Sequence, residues 1–396
     1  MEIKRQYQSD DIKIQAICTD YWAVNDKQEF IYTVTALRQK YELKQNELLN
    51  IAKNHSSVIF QAMCFECGAE YIERQIYQRK DYDDILQLLM LDKTAFICPI
   101  CQVEAERIAQ EQQQFLDQQR YEYLEKILIN SLNNFPNEAF TLKQKISLLA
   151  AMRFAINEDF SCIQAITHIL AGKLTPSTDL DRQIIEGLYR VGLLAISPNS
   201  DKTAFTWQEN SEFHFNPLGV DWIVVTPPDC TLSQFIQQIE SDIQNVILTD
   251  EEVNDIFELI EHINLQECLG YLDLKIAEYH LNFTAGEKTR FVLNKALTHF
   301  SVSQIYYFID KACRDAVANY ARGTYSKKHA SNTLGGSIER LTERAEQEKW
   351  ELKSWNRTRD LPQSQLSIVL FDFMLQLKDG GFTHSLTELR QICEVR

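Results

Sequence analysis

The chain has 396 residues, of which 45% are hydrophobic and 11% aromatic, with only 12 Gly and 8 Pro. This length predicts two to four domains, and the scarcity of glycine and proline argues against turn-rich β folds and glycine-rich nucleotide-binding folds. The net charge of −16 argues against a general nucleic-acid coat, so any nucleic-acid contact requires a local basic face.

Residues 1–58 are predicted to form a helix–turn–helix module. Apolar residues recur at helical spacing on both sides of a short break at residues 41–43. The second helix presents side chains suited to phosphates and base edges, namely Lys44, Gln45, Asn46, Asn50 and Lys53. The pattern Leu-x-x-Lys-Tyr-x-Leu, beginning at Leu37, resembles the helix–turn–helix segments of bacterial regulators, which implies duplex DNA as a partner. The alternative is a helical hairpin that packs on the module after it.

Residues 59–104 are predicted to form a zinc module. Two C-x-x-C pairs, Cys64/Cys67 and Cys98/Cys101, supply four thiolates for one tetrahedral ion, as in the two knuckles of a zinc ribbon or treble clef. Four thiolates leave no position for water, so we expect a structural zinc ion. A redox dithiol is the alternative, but the βαβ surround that it needs is absent. Acidic residues at 81–84 predict the start of a short helix over 85–90.

Residues 105–137 are predicted to be a connecting helix, with a coiled coil as the alternative because strict heptads are not sustained. Residues 138–228 predict helices over 142–156, 162–170 and 178–191, followed by strands near 193–197, 203–207 and 221–225. This order, and the run from Leu188 to Leu194, resemble winged-helix domains. The third helix carries Asp179, Asp181 and Glu186, which phosphates would repel. We therefore expect this winged-helix-like domain to contact proteins.

Residues 229–396 are predicted to be an all-helical domain. Helix starts of the capping-box type are expected at Thr249, Thr284 and Ser301, and a last helix over 364–378 is expected to end at Gly380. Basic residues cluster at one place, with Tyr320 and Tyr325 nearby, and predict contact with phosphates or nucleic acid. They are Arg314, Arg322, Lys327, Lys328 and His329. Arg340, Arg344, Arg357 and Arg359 follow, mixed with glutamates.

Arg322 and His329 also fit the Arg-x(4–6)-His pattern and thus resemble helical HEPN-type ribonucleases. That resemblance implies that the pair acts on a scissile phosphate. No Ser/His/Asp order, nucleotide-cradling loop or His-x-x-x-His pair is present elsewhere.

The sequence as a whole predicts a mainly α, multidomain protein without a catalytic centre that binds nucleic acid or regulates other molecules. The alternatives are a ribonuclease and a protein-interaction scaffold. The scaffold would belong to a larger complex that acts in mobile-element control or defence. We expect a cytoplasmic location, because no apolar run approaches a membrane span and no signal peptide is visible. Helix–turn–helix proteins commonly dimerise, so a homo-oligomer is a further expectation. Protein partners are expected for the winged-helix-like and C-terminal domains.

Overall fold

The chain is mainly helical and folds into two units, which the computed structural model describes over residues 2–82, 97–208, 212–324 and 326–396. Unit 1 is Met1–Gln118 and unit 2 is Gln119–Arg396. The finer division into five segments stays a prediction. Within the described ranges, no helix combines the length and apolar character needed to cross a membrane.

Unit 1 contains three short helices, a three-stranded antiparallel sheet and the start of a long helix. In chain order its elements are β1 (Glu2–Tyr7), α1 (Ile12–Tyr21), α2 (Val34–Tyr41), α3 (Gln45–His55), β2 (Ser56–Met63), β3 (Glu70–Ile76) and α4 (Pro99–Asn133). β2 is the central strand and pairs antiparallel with both β1 and β3. The helix predicted over 85–90 lies outside the described residues.

Local hydrogen bonds set the limits of the helices in unit 1. The Asp11 carboxylate caps α1 by accepting from the amide of Lys13 at 2.8 Å, and the Thr33 hydroxyl caps α2 by accepting from Ala36 at 3.1 Å. α2 ends where Glu42 adopts a left-handed conformation with φ of 55°. Glycine usually occupies such a position, so Glu42 fixes the turn at a cost in backbone strain.

A buried apolar cluster holds the three helices on the sheet. α1 contributes Ile17, α3 contributes Leu48 and Ala52, and β2 contributes Phe60. The core also contains a paired polar contact, in which the indole of Trp22 donates to the Ser56 hydroxyl at 2.9 Å. The orientation of α3 is therefore fixed by side chains that are almost completely removed from water.

Arg79 connects the end of the sheet to α1. Its guanidinium donates to the backbone oxygens of Tyr21, Tyr32 and Asp20, at 2.6 Å for Tyr32 and 3.3 Å for Asp20. The group also lies over the rings of Tyr21 and Phe30. Burial lowers the pKa of Arg79 to about 10. The side chain thus satisfies carbonyl groups at the C-terminal end of α1 that the helix leaves unpaired.

The first part of unit 2 mixes helices with short strands. Its elements after α4 are α5 (Leu142–Ala155), α6 (Thr178–Arg190), β4 (Leu194–Ile196), β5 (Phe205–Trp207), β6 (Phe213–Phe215) and β7 (Trp222–Val224). β4 pairs with β7, and β5 pairs with β6, both antiparallel. The strand β6 was not predicted from the sequence.

The helix predicted over 162–170 was wrong. Only a 3₁₀ turn forms there, at Ile166–His168. The cause is a non-local pairing, because Ile163 exchanges two backbone hydrogen bonds of 2.8 Å with Trp222. These bonds draw residue 163 into an extended bridge beside β7 and take away the groups that a helix would use.

The remainder of unit 2 is helical in the part of the chain that the structure describes. The helices are α7 (Leu232–Gln244), α8 (Asp250–Glu278), α9 (Glu287–His299), α10 (Val302–Ala321), α11 (Lys327–Asn332), α12 (Leu334–Gln347), α13 (Gln365–Ser367), α14 (Gly380–Thr383) and α15 (Leu386–Val395). Their buried apolar side chains form one continuous core with those of the first part of unit 2.

Two of the three predicted capping boxes in this region are confirmed. Thr249 and Ser301 each exchange hydrogen bonds with the third residue of the helix that follows. The expected box at Thr284 was wrong, because α9 begins after Gly286, which makes no side-chain cap. The two boxes therefore fix the starts of α8 and α10.

The predicted last helix over 364–378 is only partly correct. After α13 the chain continues as a π-helical segment, Ile368–Met374, and Gly380 opens α14 instead of stopping a helix. A Cβ atom on Gly381 would lie 2.8 Å from the Asn264 side-chain oxygen and would overlap the Phe371 ring. Glycine is thus required at 381 for close packing.

Candidate functional site

The first cysteine pair lies in the turn that connects β2 to β3. The amide of Cys64 donates to the Ala69 carbonyl at 2.9 Å, and the amide of Gly68 donates back to the Cys64 carbonyl at the same distance. Gly68 has φ of 68°, a conformation that glycine adopts without a steric penalty. The turn thereby brings Cys64 and Cys67 to one end of the hairpin.

The second pair lies at the start of α4. Pro99 is the first residue of the helix, where its missing amide proton costs nothing, and the amide of Gln102 donates to the Cys98 carbonyl at 2.9 Å. Cys98 therefore flanks the helix and Cys101 belongs to its first turn. One pair therefore comes from a hairpin turn and the other from a helix N-terminus.

The four sulfur atoms lie together. All of them are within 4.8 Å of one another, and the Sγ atoms of Cys67 and Cys98 are 3.8 Å apart. A tetrahedral ion with metal–sulfur bonds of about 2.3 Å requires sulfur–sulfur distances of about 3.8 Å. The four cysteines therefore fit a single metal ion. In the described part of the chain no other group of three or more His, Cys, Asp or Glu side chains has this proximity.

Backbone amides favour negative charge at the centre. The amides of Cys67 and then Cys98 lower the pKa of the Cys64 thiol to about 6, and the Cys98 amide lies 3.3 Å from the Cys64 sulfur. The pKa of Cys101 is raised instead, because its thiol hydrogen bonds to the sulfurs of Cys67 and Cys98. The backbone amides thus favour a thiolate at Cys64, which is the form in which a cysteine binds a cation.

The surface next to the cysteines is apolar and its arginine is neutralised. Phe65 is 75% exposed and Ile100 is 69% exposed, each lying between the cysteines of one pair. The nearby Arg107 forms ion pairs with Glu104 and Glu111. The charge of Arg107 is therefore not available to a phosphate group.

The predicted polar residues of α3 all lie at the protein surface. Lys44, Gln45, Asn46, Asn50 and Lys53 are exposed. Asn46, Asn50 and Lys53 follow one another by four and three residues, so they form one stripe along the helix. The opposite face holds the buried side chains of α3 described above. The sequence therefore identified the solvent-facing side of this helix correctly.

The turn before α3 holds that stripe in place. The Glu47 carboxylate accepts from the backbone amide of Lys44 at 2.9 Å, which satisfies an amide at the start of the helix. The Lys44 side chain has no carboxylate within ion-pair distance among the described residues, and the same is true of Lys53. Both ammonium groups thus remain available to an outside partner.

The predicted basic residues of unit 2 divide into exposed and neutralised groups. Arg314, Arg322, Lys327 and Lys328 are exposed, but Arg314 forms an ion pair of 2.8 Å with Asp310. Arg322 follows the last residue of α10, and His329 belongs to α11. The two residues proposed as a ribonuclease pair thus come from different helices. Tyr325 lies outside the described residues.

Arg357 departs from the expected surface location. Its side chain is largely buried, and its guanidinium contacts the carboxylates of Glu267 and Asp379, each at 2.8 Å. Burial raises the pKa of Glu267 although Arg357 opposes that shift. Arg357 therefore belongs to an internal ion network and is not part of the basic surface.

Comparisons with protein-family models, with curated proteins and with solved structures found no match to this chain. No family is therefore assigned. Its function is inferred from the geometry of the four-cysteine centre and of the exposed polar side chains.

Proposed function

We propose that unit 1 is a metal-stabilised helix–turn–helix module that binds duplex DNA through α3. The observation that carries the proposal is the stripe of Asn46, Asn50 and Lys53, which is exposed while the opposite face of α3 packs in the core. Asparagine can hydrogen bond to two edge atoms of adenine, and lysine pairs with guanine or phosphate. An α-helix fits the major groove of B-DNA, which makes duplex DNA the partner that these side chains suit best.

The charge distribution supports binding at this place. The first 58 residues contain eight basic and eight acidic residues, whereas the rest of the chain carries the entire net charge of −16. Phosphates would therefore be repelled by the protein as a whole and tolerated at the neutral N-terminal module. We infer that this contrast orients the chain so that α3 approaches the duplex.

Zinc is the metal that we propose for the four cysteines. Four thiolates at the observed spacing match the closed coordination of structural zinc sites and leave no position for a substrate or water. The cysteines of the hairpin turn and those of α4 would together fasten the tip of the sheet to the start of the long helix. The ion would thus stabilise the hairpin turn and the start of α4 within unit 1.

Unit 2 is proposed to contact proteins through a winged-helix-like domain. The order α5, α6, β4, hairpin, β7 supports this reading, although a 3₁₀ turn replaces the expected second helix. On α6, Asp179 is exposed and Glu186 neutralises Arg190 at 3.0 Å, which disfavours a phosphate partner. We further propose a homo-oligomer, because two copies would read the two halves of a palindromic duplex.

The proposal is tested by selecting duplexes from a random pool with the zinc-loaded full chain and measuring affinity at two salt concentrations. Asn50→Ala should reduce discrimination at one base pair by roughly 5- to 150-fold, because a bidentate contact contributes about 1–3 kcal/mol. Lys53→Ala should weaken binding to all sequences and reduce the salt slope by about 0.9. Lys27→Ala removes the same charge from an exposed position between α1 and α2 and is the matched control.

An equal loss for Lys27→Ala and Lys53→Ala would overturn the assignment of α3. Absence of saturable duplex binding at both salt concentrations would favour a protein scaffold instead. Circular dichroism of each variant separates a lost contact from a lost fold, since the three positions are exposed and their substitution leaves the core intact.

A further inference from the structure

One stretch of unit 2 carries positive charge and no acidic residue. Residues 316–338 contain no Asp or Glu but include Arg322, Lys327 and Lys328. The stretch is therefore positive by three charges within a chain of net charge −16. Such a local excess attracts polyanions even when the protein as a whole repels them.

The three cations lie where α10 ends and α11 begins. Arg322 caps α10, and Lys327 and Lys328 open α11 after a short connection that includes Gly323 in a left-handed conformation. All three side chains are exposed, and within the described ranges no carboxylate lies at ion-pair distance from them. They remain free for an outside partner.

Two other cations near α10 differ in this respect. Lys275 lies 2.7 Å from Glu278, and Arg314 lies 2.8 Å from Asp310. Their charges are thus neutralised by carboxylates of the protein itself. The contrast separates Arg322, Lys327 and Lys328 from Arg314, which the sequence alone placed in the same group.

We infer that Arg322, Lys327, Lys328 and the neighbouring Tyr320 form a binding surface for single-stranded nucleic acid. The three cations pair with successive phosphates, and Tyr320, which is 49% exposed, offers a ring on which a base stacks. Cations next to an exposed aromatic ring are the usual composition of such surfaces. The surface lies outside unit 1, so the inference does not depend on the proposed role of α3.

A single strand fits this surface better than a duplex or a membrane. Bases within a duplex are stacked on each other and cannot reach Tyr320, whereas those of a single strand can. A membrane surface would require a broad apolar face beside the cations. Among the described residues of 316–338, Tyr320 is the only one with a large, exposed apolar side chain.

The test measures anisotropy of labelled 20-nucleotide oligo(dT) and oligo(U) with the zinc-loaded full chain. The triple variant Arg322→Ala/Lys327→Ala/Lys328→Ala should lower the salt slope by about 2, since each contact to a single strand contributes about 0.7. The same loss corresponds to a decrease in affinity on the order of 100-fold at 0.1 M salt. Tyr320→Ala should weaken binding while leaving the slope unchanged, which separates stacking from charge.

The matched control is Lys353→Ala/Arg359→Ala/Lys378→Ala, which removes the same number of lysines and arginines from other exposed positions of unit 2. Equal losses for both triple variants would overturn the inference, as would undetectable binding of the unmodified chain at low salt. Cleavage of oligo(U) by the unmodified chain but not by the Arg322→Ala/Lys327→Ala/Lys328→Ala variant would overturn the inference in favour of a ribonuclease. Lys53→Ala should leave single-strand binding unchanged, so failure of either proposal is seen separately.

Discussion

Asp181 provides a pH test of the packing in unit 2. Its carboxylate lies at the start of α6, is only 9% exposed, and accepts a hydrogen bond of 2.8 Å from the amide of Thr175. Burial raises the pKa of Asp181 from 3.8 to about 6, although the contacts with Thr175 and the charge of Lys173 oppose that shift. Relative to the unfolded chain, the folded chain therefore favours the neutral acid, and Asp181 ionises only above about pH 6.

The magnitude follows from the two pKa values. In the unfolded chain the pKa is lower, so between about pH 4 and pH 6 the folded state holds a proton that the unfolded state has lost. The contribution of Asp181 to stability is thus complete below this window and is lost as the pH rises through it. Because one pKa unit corresponds to about 1.36 kcal/mol, the loss is about 3 kcal/mol.

The assay compares urea unfolding of the wild-type chain and Asp181→Asn over this pH range. The amide has nearly the same shape and does not titrate, so the variant should gain stability relative to wild type by about 3 kcal/mol between about pH 4 and pH 7. Asp179→Asn, at an exposed position on the same turn of α6, controls for removing a charge at a helix N-terminus. A difference that stays constant or reverses with pH would refute the argument from burial.

Three further predictions concern the metal centre, a turn and the internal ion network. Cys101→Ser should reduce bound zinc from one ion per chain to well below one, measured by metal analysis, because three ligands remain. Glu42→Gly should stabilise unit 1 by about 1 kcal/mol, measured by thermal unfolding, because glycine removes the strain of the left-handed turn; a destabilised variant would show that the strain is absent. Arg357→Met should destabilise unit 2 by about 3–5 kcal/mol in urea, because the buried Glu267 and the partly buried Asp379 lose their cation. The double variant Arg357→Met/Glu267→Met should lose less than Arg357→Met alone, and an equal or larger loss would contradict this account.

The local features of this chain could be predicted from its sequence. The C-x-x-C spacing identified the four cysteines that lie together, since both pairs are positioned by turns of a few residues. The exposed side of α3 followed from helical periodicity alone, because its inner face is apolar at the spacing of one helix. The caps at Thr249 and Ser301 are likewise set by four consecutive residues each.

Features that depend on distant residues could not be predicted. Ile163 forms an extended bridge because Trp222, 59 positions later, offers the matching backbone groups. The sequence around Arg357 gives no sign that this residue is buried. Its carboxylate partners, Glu267 and Asp379, lie 90 and 22 positions away and are identified only in the folded chain. Charge patterns therefore identify where cations occur along the chain, whereas ion pairing decides which of them remain available.

The metal centre and the proposed DNA contact depend on different parts of unit 1. The core that positions α3 contains none of the four cysteines. Metal removal should therefore loosen the turn after β2 and the start of α4 first, while amides of Leu48 and Ala52 keep their protection in hydrogen exchange. Loss of protection in α3 together with the hairpin turn would mean that the metal supports the whole of unit 1. Retention would mean that α3 is held by packing alone, and that duplex binding can persist after zinc is withdrawn.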